Sequence, residues 1–224
     1  MCGKFTAKAS WSEIVDYIWS TPSLDDEDDR TLTYRVMTDL PVIVLEGDER
    51  RTMKMRWGFP HPDYWQVPRP IHARAETIDT TKAFAQPFRD GQRGIVLMKT
   101  FNEAPDVKGP TLQHVITPGD EPVLAAAFVW RRYDIPGRPT PLFACVLVTV
   151  PANRLISCLP AGRMPAFLAR QDWKIWLGET PAGPEAVKAC LKTAEGVDWT
   201  LTREGRAKTA KRGRPTVSDP AGLF

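Results

Sequence analysis

Five runs, PVIVLE (41–46), RTMKMRWGF (51–59), RGIVLMKTF (93–101), EPVLAAAFVW (121–130) and PLFACVLVTV (141–150), are rich in apolar, β-branched and aromatic residues and are bounded by Pro, Gly and acidic turns. Their close spacing constrains the fold more than any other feature. A parallel, doubly wound sheet needs a crossover of about a dozen residues or more between successive strands, yet only residues 47–50 separate the first two runs. The chain is therefore expected to be α+β, with a mostly antiparallel sheet, curved or barrel-like, and flanking helices. One helix is read at SWSEIVDYIWS (10–20), where Trp11, Ile14, Val15, Ile18 and Trp19 fall at helical spacing and Ser10 with Glu13 fits a capping box. Others are read at QDWKIWL (171–177) and at GPEAVKACLKTA (183–194), where Pro184 suits the first helical position. The run DDEDD (25–29) reads as a solvated loop.

The 224 residues suffice for one domain with a substantial core, assigned to 1–204. A basic tail follows over 205–224, where Lys, Arg, Gly, Pro and Ala cannot supply a core and disorder is expected. Net charge is +3, but residues 203–224 carry six basic side chains against Glu204 and Asp219, so the body is close to neutral. Nucleic-acid binding by the body would have to rest on a local basic groove. In the tail, KRGRP (211–215) is similar to the core of an AT-hook, whose glycine lets two arginines enter a narrow minor groove; a generic basic tail is the plainer reading. Either adds affinity for duplex DNA.

Cys2, Cys145, Cys158 and Cys190 show no paired spacing and only three histidines accompany them, so no metal site, disulfide framework or cofactor is indicated. Cys145 and Cys190 read as core residues, and His61 and His114 as surface or loop residues without a role. Lys4, Lys8, Glu13 and Asp16 interrupt the N-terminus, and no stretch of about 18 apolar residues occurs. The expectation is a soluble monomer away from membranes, in the cytoplasm, or at the nucleoid if the source is bacterial.

The chain begins MCGKF. If Met1 is removed, Cys2 presents an α-amine and a thiol on adjacent carbons, a pair of nucleophiles that an internal cysteine cannot offer. Such a pair suits capture of an aldehyde: the amine condenses to an imine, the thiol adds to the imine carbon, and a thiazolidine closes. A cysteine after the start methionine is also commonly incidental, so these two residues alone do not decide.

Taken in order, MCGKF (1–5), MRWGFPHP (55–62), HARAET (72–77), FNE (101–103), AAAFVW (125–130), VTVPANRLI (148–156) and GRMPAFL (162–168) resemble the blocks of the SOS response-associated peptidase (SRAP) family. The likeness covers roughly residues 1–180 and rests on order and combination, since no one block is decisive. It implies a β-rich fold active in DNA repair, in which a processed N-terminal cysteine crosslinks to the ring-opened sugar of an abasic site in single-stranded DNA. The family name refers to self-removal of an N-terminal extension. On the matching positions, the resemblance makes Cys2 the nucleophile, Glu103 the general acid and base, and His72 a hydrogen-bonding neighbour of the cysteine. Lys4, Arg74 and Arg163 would hold the DNA strand, and Trp57 would stack on or wedge beside a base, unless it is a core tryptophan on a strand.

The departures from the family pattern are Lys4 in place of arginine, His72 in place of asparagine, IVLMKTFNEA around Glu103, and Ala161 where the family commonly has histidine. Three functional classes follow, in order of preference: an abasic-site crosslinking enzyme with altered kinetics, a single-stranded DNA-binding protein with weakened or no chemistry, and a cysteine-dependent peptidase using Cys2 and His72.

Overall fold

The computed structural model describes residues 4–7, 32–103, 113–119, 123–159 and 161–204. Cys2, the expected helix at 10–20, the acidic block 25–29 and the basic tail lie outside them. The strands are β1 (Lys4–Ala7), β2 (Leu32–Arg35), β3 (Asp39–Glu46), β4 (Glu49–Trp57), β5 (His72–Arg74), β6 (Arg93–Met98), β7 (Thr100–Glu103), β8 (Gln113–Pro118), β9 (Leu124–Tyr133), β10 (Leu142–Pro151), β11 (Arg163–Pro165) and β12 (Trp199–Glu204). The α-helices are α1 (Ala85–Arg89), α2 (Trp173–Leu177) and α3 (Pro184–Ala189).

Two sheets result. β4, β3, β6, β9 and β10 pair in turn and β10 pairs back with β4, so five strands close into a barrel that β5 and β11 extend along β10. The second sheet, in the order β12-β8-β7-β1-β2, is antiparallel throughout. The expected class, α+β with a mostly antiparallel and barrel-like sheet, is the observed one; the parallel pairings are those of β10 with β4 and with β5.

Closure of the barrel explains why β6 is apolar after Arg93 and buried at every residue. One face fills the barrel and the other is covered by helices: Trp176 donates from Nε1 to the Gly94 carbonyl at 2.9 Å, and the buried Arg93 guanidinium donates to the Trp176 and Phe88 carbonyls. Gly94 permits the approach of β3, since a Cβ there would lie 2.5 Å from Val42 Cγ1. A larger residue would hold the barrel open.

RGIVLMKTF, read as one strand, is two. The chain leaves the barrel after Met98, Lys99 donates its backbone N–H to the Thr6 carbonyl at 2.9 Å, and β7 continues in the second sheet. Likewise the helix read over 183–194 stops at Ala189. Beyond it the Thr193 hydroxyl donates to the Pro151 carbonyl and Asn153 Nδ2 donates to the Ala194 carbonyl, so contacts with the end of β10 draw the chain out of helical register.

Aromatic side chains join the two sheets. Phe5 of β1 lies 5.4 Å from the Trp57 ring of β4, and Trp57 lies 6.3 Å from Phe128 of β9. A second cluster brings Phe101, Phe167 and Trp199 within 5.9 Å of one another. Trp57 is fully buried and donates from Nε1 to the Ile71 carbonyl. Trp57→Ala is therefore expected to cost about 3–5 kcal/mol of unfolding free energy, the range for deleting a large buried aromatic, read as a lowered urea midpoint with an unchanged slope.

Candidate active site

Glu103 ends β7, and its neighbouring strands set its surroundings. β7 runs between β1 and β8, with Asn102 opposite Lys4 and Glu103 opposite His114. Alternation along the strand puts Glu103 on the same inner face as Phe101, and it is only 1% exposed. Burial pushes its carboxyl above the usual carboxylate range, and the positive charge of the chain's amino terminus pulls it part of the way back. A carboxyl so placed binds its proton more tightly than an exposed one does. Cys2 lies two residues before Lys4 in the sequence and outside the described residues. Strand pairing thus gathers groups far apart in the sequence at one end of the second sheet.

A separate polar cluster lies along β10. Arg74 on β5 pairs in register with Thr149, and Arg163 on β11 pairs with Pro151. Arg163 makes a two-pronged contact with Glu76, both hydrogen bonds at 2.8 Å, and also donates to the Thr149 hydroxyl at 3.1 Å and the Thr149 carbonyl at 2.7 Å. These hydrogen bonds hold the Glu76 carboxyl below the usual range, and the Arg74 charge acts in the same direction. Arg163, expected to clamp a phosphate, is thus engaged with its own fold, while Arg74 is exposed. Lys188 of α3 closes the cluster by donating to the Glu76 carbonyl at 2.9 Å and to Asp79 at 2.7 Å. Ala161 stands in the turn immediately before β11.

His72 begins β5 on the barrel, while Glu103 belongs to the second sheet. Trp57 links the two regions: its ring lies 6.4 Å from His72 and touches Phe5, whose cross-strand partner is Phe101. This role corrects the expectation that Trp57 stacks on a base, because a fully buried ring has no face to offer. The solvent-facing aromatic is instead Tyr64, 65% exposed on the loop after β4 and beside His61. Gly58 sets that loop's course, with φ at 111° and Pro68 so close that a Cβ would meet its side chain at 2.5 Å. Adjacent Trp65 is flanked by the guanidinium groups of Arg56 and Arg138, at 5.7 and 5.5 Å from its ring centre. Arg56, buried on β4, also donates to the Trp65 carbonyl, and Arg138 comes from the turn after β9, so cations of neighbouring elements hold this side chain of the loop. The sequence signal was the DYW that follows MRWGFPHP.

His114 also departs from its expected place, being half-buried on β8 rather than in a surface loop. Cys145 and Cys190 are core residues as read, and burial pushes both thiols up, that of Cys145 well above the ordinary value. Neither is poised as a nucleophile.

The family model for SOS response associated peptidase (SRAP) matches residues 1–204. The chain belongs to the SRAP family. No curated protein matches it. In fold, this SRAP member is similar to a Bacteroides thetaiotaomicron protein of known crystal structure, at 18% identity over 89% of this chain and 91% of that one, with a TM-score of 0.74. It is also similar to a Bordetella bronchiseptica protein at 19% identity over 90% and 99% of the two chains, with a TM-score of 0.72. A phage-related protein of Bordetella bronchiseptica follows at 17% identity over 91% and 95%, with a TM-score of 0.62. Among the described residues no helix is long and apolar enough to cross a membrane, and no group of three or more His, Cys, Asp or Glu side chains is placed to hold a metal ion.

The raised Glu103 carboxyl makes a stability prediction for this SRAP domain. A carboxyl whose proton affinity is higher folded than unfolded favours the native state below its unfolded value, and that contribution is lost as pH rises through the folded value. Replacing it with an amide removes the dependence. The stability of Glu103→Gln relative to the parent should thus increase between pH 4 and pH 8, measured by urea unfolding at each pH.

Proposed function

We propose that this SRAP member, once Met1 is removed, captures the aldehyde of an abasic site in single-stranded DNA on Cys2. The Cys2 amine adds to the aldehyde carbon and a proton passes from its nitrogen to the oxygen; Glu103 gives its proton to the resulting hydroxyl, which leaves as water, and the iminium so formed releases its nitrogen proton to solvent to give an imine. The Cys2 sulfur then adds to the imine carbon, its proton passes to the nitrogen, and the thiazolidine closes. The observation that carries this reading is the buried Glu103, its proton affinity raised by burial, on the strand hydrogen-bonded to β1, the strand that leads back to Cys2. Exposed Arg74 and Tyr64, together with Lys4, supply charge and a stacking surface for the strand. Removal of the N-terminal residue by the protein itself would draw on the same thiol and carboxyl.

The mature protein is expected to give a denaturation-resistant, DNA-shifted band with abasic single-stranded oligonucleotide. Cys2→Ala should abolish the stable band, because an imine cannot close to a thiazolidine without sulfur; an undiminished band from that variant sinks the proposal. Glu103→Gln should slow single-turnover crosslinking by about 10²–10⁴-fold while noncovalent binding persists.

Arg74→Ala should act on affinity instead of chemistry. The slope of log affinity against log salt should fall by about 0.7, the value for one lost phosphate contact on a single strand. A fluorescence-anisotropy titration at several salt concentrations reads it, and an unchanged slope removes Arg74 from the DNA surface.

A further inference from the structure

We infer that Glu103 and His114 work as a cross-strand proton pair, in which His114 restores the proton that Glu103 gives up and connects that buried carboxyl to solvent. The pair itself stands on the sheet geometry, and only its use in chemistry rests on the crosslinking reading. Glu103 and His114 are direct antiparallel partners on β7 and β8. Directly opposed residues share one face with their Cβ atoms about 4.5–5.5 Å apart. Their row follows the pair Phe101 and Ile116, both buried on the inner face, so the acid and the imidazole emerge where the apolar core ends.

The two side chains differ in access to water. Glu103 is buried, whereas His114 is half-buried, and its Nδ1 is shielded from solvent without a hydrogen-bond partner. A buried ring nitrogen in that condition suits a proton-transfer partner that engages when the neighbouring carboxyl changes state. Among the described residues, the charged groups opposite His114 on the strands flanking β8 are Glu103 on β7 and Arg203 on β12. Arg203 can only donate and does not give up its proton, so Glu103 is the neighbour with which His114 can exchange one. When Glu103 has given its proton to the departing hydroxyl, its carboxylate takes one from a His114 ring nitrogen, and the ring takes up another from solvent. His114 acts through Glu103 and is a positioning residue in this scheme.

Two measurements test the pair. The infrared carbonyl stretch of protonated Glu103, identified by its loss in Glu103→Gln, reads the carboxyl without any DNA reaction. It is expected to change frequency in His114→Gln, and an unchanged band overturns the pair. In single-turnover crosslinking, His114→Gln should be slowed about tenfold or more, short of the loss of about 10²–10⁴-fold for Glu103→Gln, with unchanged noncovalent affinity. His114→Ala should regain rate as imidazole buffer is added, while the parent does not respond. A parent-like rate in His114→Gln, or no imidazole rescue, overturns the relay even if the band moves. If the parent itself fails to crosslink, the proposed function falls, and the infrared band still decides whether the two groups are paired.

Discussion

The insertion of β1 into the middle of the second sheet is the constraint on which the rest of the arrangement depends. Chain termini ordinarily fray unless tied down. Here the first strand is paired on both sides, to β2 and β7, and its Phe5 is fully buried between Tyr34 and Trp57. Backbone hydrogen bonds set the strand's register and the aromatic contact sets its depth. Together they anchor Lys4–Ala7 beside the strand that carries Glu103. Trp57 is a structural part of this anchor, joining the barrel to β1.

Two carboxyl groups near the candidate site are driven in opposite directions by their surroundings. The pKa of Glu103 is raised by burial, while that of Glu76 is lowered by the two-pronged hydrogen bonds of Arg163. The same functional group thus holds its proton more tightly in one place and serves as a fixed anchor in the other. The Arg163 to Glu76 contact, with Lys188 reaching over from α3, ties β11 and the C-terminal helix to the turn after Arg74. That framework holds exposed Arg74 on a rigid surface.

Much of the barrel was legible because its strands are long apolar runs whose burial is dictated by composition. PVIVLE and PLFACVLVTV appear within strands only a residue or two different from their sequence limits. Shorter strands such as HAR and QHVITP carry too few apolar residues to stand out, and are strands because neighbours supply their hydrogen bonds. The break at Lys99 was hidden for a related reason: apolar residues continue through it, and only the partners on either side assign Met98 and Phe101 to different sheets.

For the site, the sequence by itself determined the chemical inventory: a cysteine at position 2, a glutamate at a strand end, and arginines in ordered blocks that identify the family. Side-chain chemistry and block order are local properties, which is why they could be read directly. Tertiary structure alone decided that Trp57 is buried, that Arg163 is engaged by a glutamate 87 residues away, and that His114 faces Glu103 across a strand pair. Strand pairing is non-local, and a one-residue change of register turns every side chain to the opposite face. Which carboxyl keeps its proton, and which histidine stands beside it, is consequently set by the folded sheets.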